Sequence, residues 1–208
     1  QALVDVLSVD NPDYSFDPDR FLDLTKDLEG QLFPETYSLP RDTTTEQAIA
    51  RLTEQFKLAT TNLTNNSSLT DKQALVLASL IEREAITDSE RPIIAGIILN
   101  RLNNNWPLQI DAAIQYAKSN TSCRLLTCDW WPKNITKADL EINSPFNTYN
   151  QTGLPPSPIT NPSLASLKAA YNPTKSGYWF YLHDSAGNIH YAKTIEEHNA
   201  NIAKYLQK

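Results

Sequence analysis

An α+β fold is predicted for this chain, and three observations predict it. Helical patterns with N-terminal caps dominate the first half, strand-like segments gather near the C-terminal end, and the stretch between them has little periodicity. With 208 residues, 40% of them hydrophobic and 20% charged, the chain is globular and can bury a substantial core.

The elements follow in order. Residues 1–28 are acidic and rich in Asp and Pro ("VDNPDYSFDPDRF"), and read as a linker with a short helix around Arg20 to Leu28, ahead of a main domain at 29–208. "LEGQLFPETYSLP" is extended and punctuated by Gly30, Pro34 and Pro40. Thr43 with Glu46 predicts a capping box opening "TTEQAIARLTEQFKL". After the polar loop "TNLTNNSS", Thr70 with Gln73 opens the apolar helix "ALVLASLIEREA". Asp88 or Ser89 is expected to cap "ERPIIAGIILNRLNN", with Pro92 tolerated in its first turn. From Trp106 to Pro162 the chain reads as irregular, and a long irregular stretch in a domain is usually functional. Asn161 and Pro162 then cap a short helix through Ala170. "YWFYLH" and "NIHYAK" flank "DSAG" as a β-hairpin, and Thr194 with Glu197 caps a last helix, "IEEHNANIAKYLQ".

Composition excludes several functions. A net charge of -6 with no basic face argues against nucleic-acid binding. No apolar run approaches the roughly 18 residues that span a bilayer. The chain begins at Gln1 and contains no Met, so it is expected to be a piece of something longer, from which a membrane anchor could have been removed. Cys123 and Cys128, with four residues between them, suit a small disulfide-closed loop in an oxidising setting better than a metal site, which would need further soft ligands nearby; two reduced thiols are the alternative. His183, His190 and His198 are too scattered to form a metal triad, and no Gly-x-Ser-x-Gly, P-loop or Rossmann fingerprint occurs. No cofactor is expected.

The informative feature is a pair of glutamates ending an apolar helix. Residues two apart on a helix point about 200° away from each other, so Glu82 and Glu84 cannot share one cleft. Glu84 follows Leu77, Leu80 and Ile81 along an apolar stripe, whereas Glu82 follows Leu75, Ala78 and Ser79. A carboxyl at the edge of the core is disfavoured in its charged form, which is what a general acid requires. The alternative is an ordinary ion pair with Arg83, Arg91 or Arg101.

"LEGQLFPETY", "ASLIERE", "IAGIILNRL", "PLQIDAAIQYA", "SPFNTYNQTGLPPSPITNPSLASLKAA" and "HYAKTIEEHN" occur in the order found in the YceG-like (MltG) endolytic murein transglycosylases, and the chain resembles that family from Leu28 to about Tyr205. The resemblance implies a bacterial, single-pass membrane enzyme whose extracytoplasmic catalytic domain cuts nascent peptidoglycan between N-acetylmuramic acid and N-acetylglucosamine. It also implies an N-terminal membrane helix and a LysM-like module preceding this chain, and work beside cell-wall synthases. The family's catalytic glutamate is the second of its E-x-E pair, which falls on Glu84. Departures are Ala85 where Thr is usual, Glu35 where Asp is common, Phe146 in place of Tyr, and the cysteine-bearing stretch from Ser122 to Trp131.

A lytic transglycosylase needs one carboxyl where most glycosidases need two. Glu84 is expected to protonate the bridging oxygen and then take the proton of the C6 hydroxyl as it closes a 1,6-anhydro ring. Asn147 and Tyr149 are expected to orient the acetamido group and the ring, Gln109 and Asp111 to bind hydroxyls or hold Glu84, and Glu29 and Tyr37 to line the same cleft, since amides, hydroxyls and aromatic faces suit sugars. Each also has a structural reading, such as Asp111 as a helix N-cap. "GLPPSPITNP" is expected to form a rigid cleft wall. Rival functions are a non-catalytic peptidoglycan-binding module, a hydrolytic muramidase and a pyridoxal-phosphate lyase using Lys168.

Overall fold

The computed structural model describes residues 15–123 and 129–206. Its helices are α1 (Pro18–Thr25), α2 (Thr45–Thr60), α3 (Asp71–Glu84), α4 (Arg91–Asn103), α5 (Asp111–Ser122) and α6 (Leu164–Tyr171), with a 3-10 turn at Asp139–Glu141. Strands β1 (Phe180–His183) and β2 (Ile189–Ala192) and a last helix, α7 (Ile195–Tyr205), complete the α+β order.

The core forms where α3 meets α4, α5 and α6. Ala74, Leu77, Ala78, Leu80 and Ile81 of α3 are buried against Ile94, Ala95 and Ile98 of α4, with Ala113 of α5 and Leu167 and Ala170 of α6. Burying a Leu or Ile contributes about 1.5–3 kcal/mol, so this cluster is the main source of stability. The close approach of α4 to the segment before β1 depends on Gly96. A methyl group there would lie 1.9 Å from the Thr174 carbonyl oxygen.

The Thr70–Gln73 box opens α3 as predicted, with Thr70 Oγ1 accepting from the Gln73 amide and Gln73 Oε1 from the Thr70 amide. The α2 box sits one residue later than expected, on Thr44 and Gln47, because Glu46 turns outward to pair with Arg20. Neither Asp88 nor Ser89 caps α4. Asp88 binds the Arg91 side chain at 3.0 Å, and Ser89 lies 3.0 Å from the Thr87 hydroxyl. Ser163, not Asn161, caps α6. Asn161 Oδ1 instead accepts from the amides of Gly30 and Leu32, at 2.8 and 3.0 Å.

One expectation about an irregular segment needs correction: the stretch from Trp106 to Pro162 contains α5, whose Ala112, Ala113, Ile114 and Ala117 are buried. The short helix expected around Arg20 to Leu28 is α1, whose Phe21 joins Phe16, Ala48 and Leu52 in a second, smaller core against α2.

The hairpin matches its prediction. Phe180 pairs with Ala192 and His183 with Ile189, antiparallel, with Gly187 at φ +84° in the turn. Thr194 caps α7, accepting from the Glu197 amide, and α7 packs on the hairpin. Among the described residues no helix is long and apolar enough to cross a membrane.

Candidate active site

The apolar run of α3 carries Glu84 to the end of the helix, where Ala85 turns extended (φ -87°, ψ 137°). There Glu84 meets a cavity of about 710 Å³, also lined by Arg101 of α4, Gln109, Asp111, Tyr149, and Tyr181 and His183 of β1. The Tyr181 hydroxyl donates to Glu84 Oε2 at 2.5 Å. Burial pushes the Glu84 carboxyl above the usual carboxylate range, and the Asp111 charge pushes the same way. The Tyr181 hydrogen bond and the charges of His183 and Arg101 oppose this without reversing it. Burial thus favours the protonated form of a carboxyl that borders the cavity, the direction the stripe argument expects.

Glu84 has no salt bridge among the described residues. Arg91 pairs with Glu82 and Asp88, Arg101 donates to the carbonyl oxygens of Trp179 (2.9 Å) and Leu108 (2.5 Å), and Arg83 lies 4.0 Å over the Trp131 ring. The ion-pair alternative describes Glu82 instead. Glu82 Oε2 accepts from the Ser163 amide (3.0 Å), the Ser163 and Ser166 hydroxyls (both 2.7 Å) and Arg91 (3.2 Å).

Gln109, Asp111 and Tyr149 come together beside Glu84. The Gln109 backbone has φ +53°, a left-handed conformation that costs a non-glycine residue energy and concentrates at functional sites. Thr148 holds it there: its carbonyl accepts from the Gln109 amide at 2.9 Å, and its hydroxyl accepts from the Ile110 amide at 3.0 Å. Asp111 does not cap α5; it is the first helical residue, and its exposed carboxylate accepts from the Tyr149 hydroxyl. Burial and this hydrogen bond push the Tyr149 phenol up, so it stays a donor.

Asn147 does not reach the cavity. Its side chain is 0% exposed, with its amide donating to the Leu140 and Ile142 carbonyls, both at 2.9 Å. Its Oδ1 accepts from the Tyr149 amide at 3.0 Å, so it shapes the loop that presents Tyr149. Glu29 and Tyr37 also lie apart from the lining. Glu29, its carboxyl raised by burial, accepts from Tyr116 at 2.7 Å. Tyr37 donates to the Phe33 carbonyl at 2.7 Å and packs in the smaller core. The proline-rich segment is likewise no wall of this cavity: Pro158 packs against Gly30, and the Ile159 amide donates to Ser79 Oγ at 3.1 Å. Lys168 lines a different cavity, beside Asn62 and Asn172. The expected Cys123–Cys128 disulfide falls outside the described residues, since Cys128 is not among them.

Sequence reasoning missed Tyr181, Arg101 and His183. A signal for two of them existed: on a strand with Phe180 and Leu182 buried, Tyr181 and His183 share the opposite face. His183 Nε2 lies 3.1 Å from Glu90 Oε2. Burial raises the Glu90 carboxyl, but His183 and the Ile86 and Thr87 amides outweigh it and hold it low. Glu90 thereby ties the α3–α4 turn to β1.

A profile of the YceG-like family matches residues 3–204. The endolytic murein transglycosylase of Streptococcus pneumoniae serotype 2 is 35% identical over 194 residues, covering 86% of this chain and 32% of that protein. Its counterpart of the same name from Bacillus subtilis strain 168 is 39% identical over 110 residues, covering 53% of this chain and 28% of that protein. The chain thus spans about a third of the length of these curated relatives. The crystal structure of a YceG-like protein from Listeria monocytogenes aligns with a TM-score of 0.71 at 28% identity, covering 96% of this chain and 66% of that one. A match along nearly the whole chain, in sequence and in fold, establishes that this chain belongs to the YceG-like family.

Proposed function

We propose that this chain is the catalytic part of an endolytic lytic transglycosylase that cuts the β-1,4 bond between N-acetylmuramic acid and N-acetylglucosamine within peptidoglycan strands. The carrying observation is the cavity-facing Glu84, whose carboxyl burial pushes above the usual range, held by Tyr181 and without a basic partner at salt-bridge distance among the described residues. The names of the relatives from Streptococcus pneumoniae and Bacillus subtilis support the same reading.

Glu84 donates its proton to the bridging oxygen as the bond to C1 breaks. The substrate's 2-acetamido oxygen stabilises the positive charge that develops at C1. Glu84, now a carboxylate steadied by Tyr181, removes the proton from the C6 hydroxyl, whose oxygen attacks C1 and closes a 1,6-anhydro ring. One carboxyl serves twice, and no water is consumed. Tyr149 and Gln109 are placed to bind hydroxyls or the acetamido group, and Asn147 acts only by shaping the loop of Tyr149. The chain works outside the cytoplasm, tethered by a membrane helix beyond its N-terminal end with a LysM-like module between, near cell-wall synthases.

One observation favours a second reading. Asp111 is a second carboxylate in the same cavity, and an acid with a base across the bond is the arrangement of a hydrolytic muramidase. Digestion of uncrosslinked strands, read by mass spectrometry, separates the two. Transglycosylation leaves muramyl ends short by one water, and hydrolysis leaves reducing ends. Loss of cutting in Glu84→Gln but not in Asp111→Asn supports the first reading; reducing ends, lost in both variants, replace it with the second. Strand binding without cutting by the wild type would indicate a binding module.

A further inference from the structure

Arg83 is a charged residue of the cavity that the mechanism leaves unused. It lines the same cavity as Glu84, its neighbour in sequence, yet it is exposed and makes no hydrogen bond or ion pair among the described residues. The other basic side chains there are confined: His198 stacks on Phe180 with its Nδ1 buried and unpartnered among the described residues. Arg101 is held by two backbone carbonyls, and His183 by Glu90. The Arg83 guanidinium carbon lies 4.0 Å over the Trp131 ring, and its N–H groups, without a partner among the described residues, can pair with a carboxylate in a two-point fork.

The platform beneath it is built. Ser119 of α5 donates to the carbonyls of Asp129 and Trp130, at 3.3 and 3.0 Å, and Gln115 donates to the Pro132 carbonyl at 3.0 Å. Asp129 Oδ1 accepts from the Trp131 amide at 3.0 Å, and Trp130 packs on Tyr116. These bonds fix the segment on both sides of Trp131 and present its ring to Arg83. The stretch from Ser122 to Trp131, which departs from the family pattern, thereby gains a role for its last residue.

We infer that Arg83, braced on Trp131, is a subsite for a carboxylate carried by the muramyl residue whose bond is cut. The inference rests on the transglycosylase reading. In that reaction the ring beside Glu84 is N-acetylmuramic acid, and its C3 substituent is the only acidic one in the strand. That substituent carries a carboxylate as a bare lactyl group, or through the acidic residues of an attached stem peptide. The cavity also holds the Asp111 carboxylate on a chain of net charge -6, so a cation there favours acceptance of an acidic strand.

The test uses Glu84→Gln protein, to bind strands without cutting them, and isothermal titration. Three uncrosslinked substrates are compared: native strands with stem peptides, strands stripped of stems by an amidase, and native strands whose carboxylates are coupled to methylamine. Whichever of the native and stripped strands carries the recognised carboxylate is expected to bind about tenfold tighter than the methylamide form, with an affinity that falls as salt rises. Adding Arg83→Gln should erase that preference, and Arg83→Lys or Trp131→Leu should erase most of it. Tight binding of stripped strands assigns the site to the lactyl carboxylate; binding restored only by stems assigns it to the peptide. Equal affinity for native, stripped and methylamide strands, or a preference that survives Arg83→Gln, overturns the inference. Failure of the parent reading shows separately, as wild-type protein that leaves strands uncut.

Discussion

Glu82 and Glu84 stand two residues apart on one helix and have opposite fates. Glu82 is enclosed by a partner for its charge: two serine hydroxyls, a backbone amide and the Arg91 guanidinium converge on one carboxylate oxygen. Glu84 is desolvated and receives one neutral hydroxyl at Oε2. The first ties α3 to α4 and α6, and the second borders the cavity with its charged form disfavoured. Helix rotation decides which carboxyl is clamped and which is desolvated.

The sharpest way to break the contrast is to remove the acid. Glu84→Gln is expected to lower the rate of strand cutting by about 10²–10⁴-fold with the fold intact, measured by product release against circular dichroism. Glu82→Ala should do the reverse. It strands Arg91 and two hydroxyls in a partly buried site, so unfolding in urea should show a loss of about 2–4 kcal/mol, with cutting retained below the new melting point.

Tyr181→Phe probes what poises the acid. The lost hydrogen bond favoured the carboxylate, so the Glu84 pKa should rise further and the alkaline limb of the pH–rate profile should move to higher pH. The rate at the optimum should fall by roughly tenfold, as the carboxylate formed in the first step loses its donor.

The smallest effect expected is on stability. Glu84 has a folded pKa above its unfolded one because burial penalises its charge. Its contribution is therefore intact below the unfolded pKa and is lost as pH rises through the folded value. Above that value Glu84→Gln should melt higher than wild type, by about 2–4 °C for each kcal/mol relieved, and the gain should vanish in acid. Melting curves across pH read it directly.

Much of this contrast was legible in the sequence. The stripe of Leu77, Leu80 and Ile81 marks which glutamate faces the core edge, and the Thr70 box fixes where α3 starts, because both are local properties of one helix. The hairpin and the α7 cap were readable for the same reason. What could not be read depends on distant partners. Tyr181 lies 97 residues from Glu84, and nothing in a strand's alternation says which helix end its outer face will meet. Asn147 failed for a related reason: an amide that suits sugars also suits carbonyls, and three backbone groups of its own loop took it first. The prolines of 155–162 suggested a wall, but stiffness carries no information about which cavity, if any, a segment borders.

Gly96 touches no substrate and has no chemistry, yet it constrains what variation the lineage can try. Its missing methyl lets the Thr174 carbonyl rest against α4, six residues before the strand that delivers Tyr181 to the acid. Any side chain at that position would push away the segment leading into that strand, and with it the hydroxyl that steadies Glu84. Drift in the surrounding residues can be absorbed by repacking; a first step away from glycine has no neutral intermediate. The reach of Tyr181 is thus inherited through a point of contact too small to hold even one carbon.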